Sequence, residues 1–115
     1  MSYDPKTEIL NRFEGWVVLA VARLGKDLAY GATIHEEVEK LSGRRIVSLG
    51  AIHTSLDRLE KKGMVSSKLS EPIAERGGRS KRLFRVEAAG EIALKNTIDQ
   101  AAAMAAALRT ARVNL

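Results

Sequence analysis

The densest group of charged residues in the sequence lies between Arg76 and Arg85, where five of ten residues are cations and none is an acid. These cations are Arg76, Arg79, Lys81, Arg82 and Arg85, and Gly78 and Ser80 lie among them. Lysine and arginine bind phosphate oxygens with little regard to base sequence, so such a segment suits a nucleic-acid backbone. Gly77 and Gly78 are not followed by the lysine and serine of a phosphate-binding loop, so nucleotide binding has little support.

A second group that could do chemistry consists of small and hydrogen-bonding residues earlier in the chain. They are Ser48, Gly50, Ala51, His53 and Thr54, with Arg58 about one helical turn further on. Small side chains allow the N-terminal end of a helix to enter the major groove of DNA, where polar side chains meet base edges. We therefore expect His53 to read a base. The alternative is a surface histidine with no such role.

These residues need a helix and a pair of strands to position them. Ser48 is a typical N-cap, and Gly63 follows two lysines as residues at a helix end often do, so a helix is predicted between them. Its buried side would carry Ile52, Leu56 and Leu59. Apolar and β-branched runs at residues 64–69 and 81–86 predict two strands, joined by a long loop that contains proline and glycine.

The segment before this helix predicts a supporting helix from residue 31 or 32 to residue 41, with a capping box formed by Thr33 and Glu36. Its three glutamates disfavour contact with phosphate along its length. Residues 28–30 predict a minor strand beside the ribbon. Further predicted DNA-contacting residues are Tyr30, Arg44 and Arg45. The two arginines could reach the DNA backbone or lie in a solvated loop.

Two more helices are predicted near the ends of the chain. Apolar residues recur at intervals of three and four from residue 6 to residue 24, and again from residue 88 to about residue 112. The alanine-rich final helix has no partner in its own domain, so we expect a second copy to cover it around a two-fold axis. The expected dimer interface consists of Phe13, Trp16, Ile92, Ile98, Ala101, Ala105 and Leu108. The alternatives are a solvated tail and, for the two aromatic residues, a ligand pocket.

Composition sets the class of protein. A chain of 115 residues suits one domain, and 45% apolar but only 4% aromatic residues predict a modest core. The absence of cysteine excludes disulfides and thiolate metal sites, and the two histidines have no metal-binding spacing, so neither metal nor cofactor is expected. The absence of an apolar run of about 20 residues and of a signal-like start predicts a cytoplasmic protein without membrane contact.

The net charge of +5 is unevenly distributed. Residues 40–85 hold twelve lysines and arginines against four acids, whereas the rest of the chain holds seven against ten. This local basic excess favours double-stranded DNA as the partner over a role in general solubility. The sequence contains no paired carboxylates, no nucleophile with a base and no metal cluster, so we do not expect an enzyme.

Three segments resemble the PadR family of bacterial transcriptional regulators, namely Leu28–Gly31, Ser48–Val65 and Gly78–Gly90. They occur in the family's order and at family-like spacing. The resemblance implies a winged helix-turn-helix fold. This chain has His53 and Thr54 where the family usually has tyrosine and proline, which changes the hydrogen-bonding groups offered to bases. It also has Glu87 where a threonine is frequent.

The sequence therefore predicts a mainly α protein with a small β-wing (α+β). Residues 1–87 would form a winged helix-turn-helix DNA-binding domain with an N-terminal helix, and residues 88–115 a C-terminal dimerisation helix. The resemblance implies a homodimeric, sequence-specific regulator, expected to repress at an inverted-repeat operator until a ligand or partner releases it. Drug-binding relatives carry a tryptophan in the final helix, which here has no aromatic residue, so a stacked aromatic effector is not expected. The alternative is a protein-binding winged-helix module, which five uncompensated cations on the ribbon disfavour.

Overall fold

The computed structural model describes residues 5–43, 47–71 and 80–111. Within these ranges, a short 3-10 helix is followed by three α-helices, two strands and a long final α-helix. The elements are the 3-10 helix Pro5–Thr7, α1 Arg12–Leu24, α2 Gly31–Ser42, α3 Leu49–Lys61, β1 Val65–Leu69, β2 Arg82–Val86 and α4 Ala88–Thr110. This architecture confirms the predicted winged-helix fold; β1, β2 and the segment that joins them are called the wing. The division into residues 1–87 and 88–115 stays a prediction.

Helix α1 begins later than the apolar periodicity predicts, at Arg12 instead of residue 6. The Asn11 side chain accepts a hydrogen bond from the Glu14 backbone N–H at 2.8 Å, and the Glu14 carboxylate accepts from the Asn11 N–H at 3.0 Å. This reciprocal capping box fixes the helix start. The preceding segment is bound to α4 instead, where the Leu10 N–H donates to the Thr97 hydroxyl at 2.8 Å.

Helix α2 matches its predicted range, but its predicted cap is wrong. Thr33 lies inside the first turn, and its hydroxyl accepts from the Tyr30 backbone N–H at 3.0 Å, so the helix begins directly after Tyr30. The predicted strand at residues 28–30 is also wrong, because this segment forms a turn and a bend. A hydrogen bond of 2.8 Å from the Phe84 N–H to the Ala29 carbonyl nevertheless places it beside β2.

Helix α3 begins and ends where the sequence predicts. The Ser48 hydroxyl accepts from the Ala51 backbone N–H at 3.0 Å, as an N-cap residue does. At the other end, Gly63 has a φ of +74°, a left-handed conformation that favours glycine. This glycine reverses the chain between α3 and β1, so the wing follows the helix after a very short turn.

The wing is an antiparallel ribbon in which Val65 lies opposite Val86 and Leu69 lies opposite Arg82. Val65 and Phe84 are buried, so the base of the wing belongs to the core. At the distal end, Leu69 is 72% exposed. The residue pair at the distal end of the ribbon is therefore not held by buried apolar side chains.

The core lies between α1, α2, α3, the base of the wing and the start of α4. Its fully buried side chains include Val17, Val21, Ile34, Leu56 and Leu59. Helix α4 contributes Ala93 to this core, and Gly90 is buried beside it. A Cβ on Gly90 would come within 2.2 Å of the Met64 carbonyl oxygen. The first turn of α4 therefore packs so close to the Met64 backbone that only glycine fits.

The second half of α4 projects beyond the core, because every residue from Ile98 to Ala111 is exposed. The radius of gyration of the Cα atoms is 16.4 Å. A compact chain of this length would have a value of about 13 Å. The molecule is therefore elongated, with an apolar helix at one end.

Candidate nucleic-acid interface

Helix α3 divides its residues between a buried side and an exposed side. The buried residues are Ile52, Ser55, Leu56 and Leu59. Exposed residues at and after the N-cap include Ser48, Gly50, Ala51, His53, Thr54 and Arg58. The structure thus places the predicted base-reading residues together on the open side of α3, mostly in its first two turns.

The imidazole of His53 lies against the start of α2. A Cβ built on Gly31 would come within 2.7 Å of the His53 Cε1 atom, which is closer than two carbon atoms pack. Gly31 therefore leaves room for this ring, and a larger residue there would displace it. His53 as a whole is exposed, so its contact with α2 does not enclose the residue.

Tyr30 and Lys81 meet beside this point. The Lys81 ammonium lies 4.2 Å from the centroid of the Tyr30 ring, which is a cation–π distance. The contact joins the start of α2 to the residue that precedes β2. Three residues assigned to DNA contact from the sequence therefore lie near the junction of α2, α3 and the wing: Tyr30, His53 and Lys81.

Two of the wing cations have carboxylate partners. Arg82 donates a hydrogen bond to Glu60 of α3, and its Nη1 atom lies 3.5 Å from the Asp57 carboxylate. Arg85 forms a 3.1 Å ion pair with Glu87. The prediction of five uncompensated cations is therefore wrong for Arg82 and Arg85, because their partners lie outside the ten-residue segment from which it was drawn.

The sequence reasoning missed Asp57 and Glu60 as parts of this site. Acids about one helical turn apart share a side of a helix, and this spacing is a signal that could have identified them. Their cationic partner could not be read in the same way, because Arg82 is 22 residues from Glu60 along the chain. The contact exists only because the wing folds back beside α3.

Glu87 is a third missed residue, and it links the wing to the start of α4. Its carboxylate accepts from the Ser66 hydroxyl at 2.5 Å and from Arg85 at 3.1 Å. The hydrogen bond from Ser66, followed by the hydrogen bond and positive charge of Arg85, lowers the pKa of the Glu87 carboxyl. The fold therefore favours the ionised form of this side chain.

Several predicted contact residues lie outside the described ranges, namely Arg44, Arg45, Arg76, Gly78 and Arg79. Their roles stay predictions from the sequence. Ser80 begins the last described range and is exposed.

An open apolar cleft of about 370 Å³ lies between α1 and α4. Its lining includes Trp16, Leu94, Ile98, Ala101 and Met104. Three of the predicted dimer-interface residues, Trp16, Ile98 and Ala101, thus meet in one place. Others are exposed elsewhere on α4: Ile92, Ala105 and Leu108. Phe13 is half-buried and lines a separate cavity with Val38.

Among the described residues, no group of three or more histidine, cysteine, aspartate or glutamate side chains could hold a metal ion. In the same ranges, no helix combines the length and the apolar character needed to cross a membrane.

Comparison with known proteins identifies the family. Residues 18–96 match the transcriptional regulator PadR-like family, and the chain belongs to it. Its fold is similar to that of a PadR family regulator from Clostridium difficile, with a TM-score of 0.69 and 17% identity over 87% of this chain and 97% of that one. The fold is also similar to that of a PadR-like regulator from Bacillus cereus, with a TM-score of 0.68 and 16% identity over 89% of this chain and 92% of that one. No curated protein sequence matches the chain.

The chain is therefore a member of a family of DNA-binding transcriptional regulators that have a winged helix-turn-helix. PadR-like proteins are, in general, regulators and not enzymes.

Proposed function

We propose that the protein is a homodimeric, cytoplasmic repressor that binds an inverted-repeat operator through α3 and the wing. The observation that supports this most is the exposed start of α3, where Gly50 and Ala51 leave room beside His53 and Thr54. A helix end of this kind can enter the major groove and offer donors and acceptors to base edges.

In this proposal, specificity and affinity come from different residues. His53 and Thr54 contact base edges, whereas Lys81 on the wing and Arg58 on α3 contact phosphates. Phosphate contacts are also proposed for Arg44, Arg45, Arg76 and Arg79. Such contacts strengthen binding to any duplex, because they release counterions irrespective of sequence.

Dimerisation through α4 and α1 is part of the same proposal. Ile98 is 54% exposed and Met104 is 74% exposed, and apolar surface of this kind is unfavourable in water. The alanines between them allow a partner helix to approach closely. A two-fold dimer presents two α3 helices about 34–36 Å apart, or a multiple of that distance, which requires an inverted-repeat operator.

Repression in this proposal is steric, and release follows when a ligand or partner changes the separation of the two α3 helices. The cleft beside Trp16 is where α1 meets α4. An occupant of this cleft would act on both proposed dimerisation elements.

The experiment that tests the proposal is selection of bound fragments from genomic DNA by the wild type and by His53→Ala. Lys61→Ala, an exposed position in the last turn of α3, serves as the control. We expect the wild type and the control to select the same inverted repeat. His53→Ala should change the preference at one or two base pairs by about 1–3 kcal/mol while leaving random-duplex affinity nearly unchanged.

Two results would contradict different parts of the proposal. If the wild type enriches no sequence over the input, sequence-specific regulation by this chain is wrong. If the wild type and His53→Ala select identical sites, the base-reading role of His53 is wrong while the regulator itself stands.

A second candidate function is a winged-helix module that binds a protein instead of DNA. The ion pairs of Arg82 and Arg85 favour it, because they leave the described part of the wing with fewer unpaired cations than its sequence suggests. Binding to random duplex DNA at several salt concentrations separates the two functions. For a DNA-binding wing, the logarithm of the binding constant falls with the logarithm of the salt concentration, with a slope of about 0.9 per phosphate contact. A protein-binding module gives no measurable affinity for duplex DNA.

A further inference from the structure

Three side chains form a closed hydrogen-bonded ring between α3 and the wing. The Ser67 hydroxyl donates to the Glu60 Oε2 atom at 2.7 Å and accepts from the Arg82 Nε atom at 2.9 Å. The Arg82 Nη2 atom donates to the Glu60 Oε1 atom, which closes the ring. Both carboxylate oxygens are therefore engaged, and each side chain contacts the other two.

The ring joins three elements that are distant in sequence. Glu60 lies in the last turn of α3, Ser67 in the middle of β1 and Arg82 at the start of β2, with separations of 7, 15 and 22 residues. The base of the wing is held by buried residues, but Arg82 belongs to the distal pair, opposite the exposed Leu69. The ring thus holds the distal end of the described wing, where no apolar side chain is buried.

The guanidinium of Arg82 is largely occupied by these contacts. Its Nε atom faces Ser67, its Nη2 atom faces Glu60, and its Nη1 atom lies 3.5 Å from Asp57. A phosphate would have to compete with three oxygen atoms of the protein. Lys81, in contrast, rests its ammonium over an aromatic ring, which leaves hydrogen-bond donors for a phosphate.

A carboxylate on a DNA-binding helix repels phosphate, so by charge alone Glu60 would weaken DNA binding. We propose that Glu60 is instead a positioning residue, which holds the wing in one orientation against α3, and that Arg82 acts through Glu60 and not on a phosphate. This inference rests on the proposed function for its effect on DNA, but the orientation of the wing can be measured without DNA.

The DNA-free test measures the distance between α3 and the wing. The chain has no cysteine, so Ala51→Cys and Leu69→Cys allow two spin labels to be attached at exposed positions without a competing site. When labelled chains are diluted into an excess of unlabelled chains, so that a dimer carries labels on one chain only, we expect one narrow distance distribution in this background and a broader one after Glu60→Ala. Glu71→Ala removes the same charge from the wing outside the ring and should leave the distribution narrow. An unchanged distribution after Glu60→Ala would overturn the proposal.

The DNA test compares affinity and salt dependence at a site selected by the wild type. We expect Glu60→Ala to weaken binding by about threefold to tenfold, although it removes a negative charge, and Glu71→Ala to cause no loss. Arg82→Ala should cause a similar loss of affinity without changing how steeply affinity falls with salt concentration. The double variant, Glu60→Ala with Arg82→Ala, should bind no more weakly than either single variant.

Three DNA results would overturn the inference. The first is equal or tighter binding by Glu60→Ala, and the second is additive losses in the double variant. The third is a salt dependence of Arg82→Ala whose slope, log binding constant against log salt concentration, is lower by about 0.9, as for a lost phosphate contact. If thermal unfolding shows that Glu60→Ala does not fold, Glu60→Gln keeps the volume of the side chain and is judged by the same criteria. Failure of the wild type to select any site would contradict the proposed function instead, and the label distances would still decide the role of Glu60.

Discussion

Helix α3 and the second half of α4 both expose a broad surface, but the exposed residues differ in kind. Around Gly50, His53 and Arg58, α3 exposes small, polar and charged groups. The second half of α4 exposes Ile98, Met104 and a run of alanines. Both helices attach to the same core, so the difference lies in what each surface is suited to contact.

Contacts within the chain organise the exposed side of α3, whereas the exposed side of α4 has no such contacts among the described residues. The acidic residues of α3 meet Arg82 from the wing, so this surface is organised by its own chain. The apolar stripe on α4 consists of Ile98, Ala101, Ala105 and Leu108, and among the described residues nothing covers it. We therefore expect changes on α4 to disturb assembly without disturbing α3, and changes on α3 to disturb DNA recognition without disturbing assembly.

The largest effect is expected from a charge in the apolar stripe. Ile98→Glu should produce monomers in sedimentation, because a carboxylate would have to be buried between two copies. Specific binding should fall by about a hundredfold or more, since the second half-site is no longer engaged by the same molecule. Ala103→Glu adds the same charge about 140° further round the helix and should leave the dimer intact.

A monomeric wild type at micromolar concentration would remove the dimer from the mechanism. So would a monomeric Ile98→Glu variant that keeps full operator affinity, because α3 would then be sufficient alone.

Those parts of the molecule that depend on local signals could be predicted from the sequence. Helix α3 was placed by Ser48 at its start and Gly63 after its end, and each acts on backbone groups within a few residues. The start of α1 also has a local signal, the capping-box pair Asn11 and Glu14, but the prediction followed the apolar spacing, which continues through Leu10. Periodicity reports which residues can be buried, and a cap decides where the helix begins.

The missing part of the candidate site depends on contacts between distant residues. The sequence identified the exposed residues of α3 as a group, since helical spacing determines which side they share. It did not reveal the partner of Arg82, because the ring with Glu60 requires the register of β1 and β2 and the turn at Gly63 together. The room that Gly31 leaves for His53 is likewise a contact between helices and has no local signal.

The next largest effect concerns how α4 is attached to the core. Gly90→Ala should lower the free energy of unfolding by about 1–3 kcal/mol, because its Cβ would lie 2.2 Å from the Met64 carbonyl oxygen. Gly15→Ala is the matched control in α1, where the nearest atom is a methyl carbon of Thr97 at 4.0 Å. That change should raise stability by up to about 1 kcal/mol. Equal effects of the two changes in urea unfolding would show that the close approach at Gly90 is not what fixes α4.

The smallest effect is expected where the wing meets α4, at Glu87. Its pKa is lowered in the folded chain by the hydrogen bond from Ser66 and then by Arg85, so ionisation of this carboxyl favours folding. That contribution is present above the ordinary pKa of 4.5 and is lost as the pH falls through the lower folded value. Glu87→Gln should therefore reduce stability at neutral pH, and the difference from wild type should vanish in acid. Glu91→Gln, one turn further along α4 with an exposed side chain, controls for the loss of a charge near the helix start. If thermal unfolding from neutral to acidic pH shows the same profile for both variants, the hydrogen bonds to Glu87 do not couple the wing to α4.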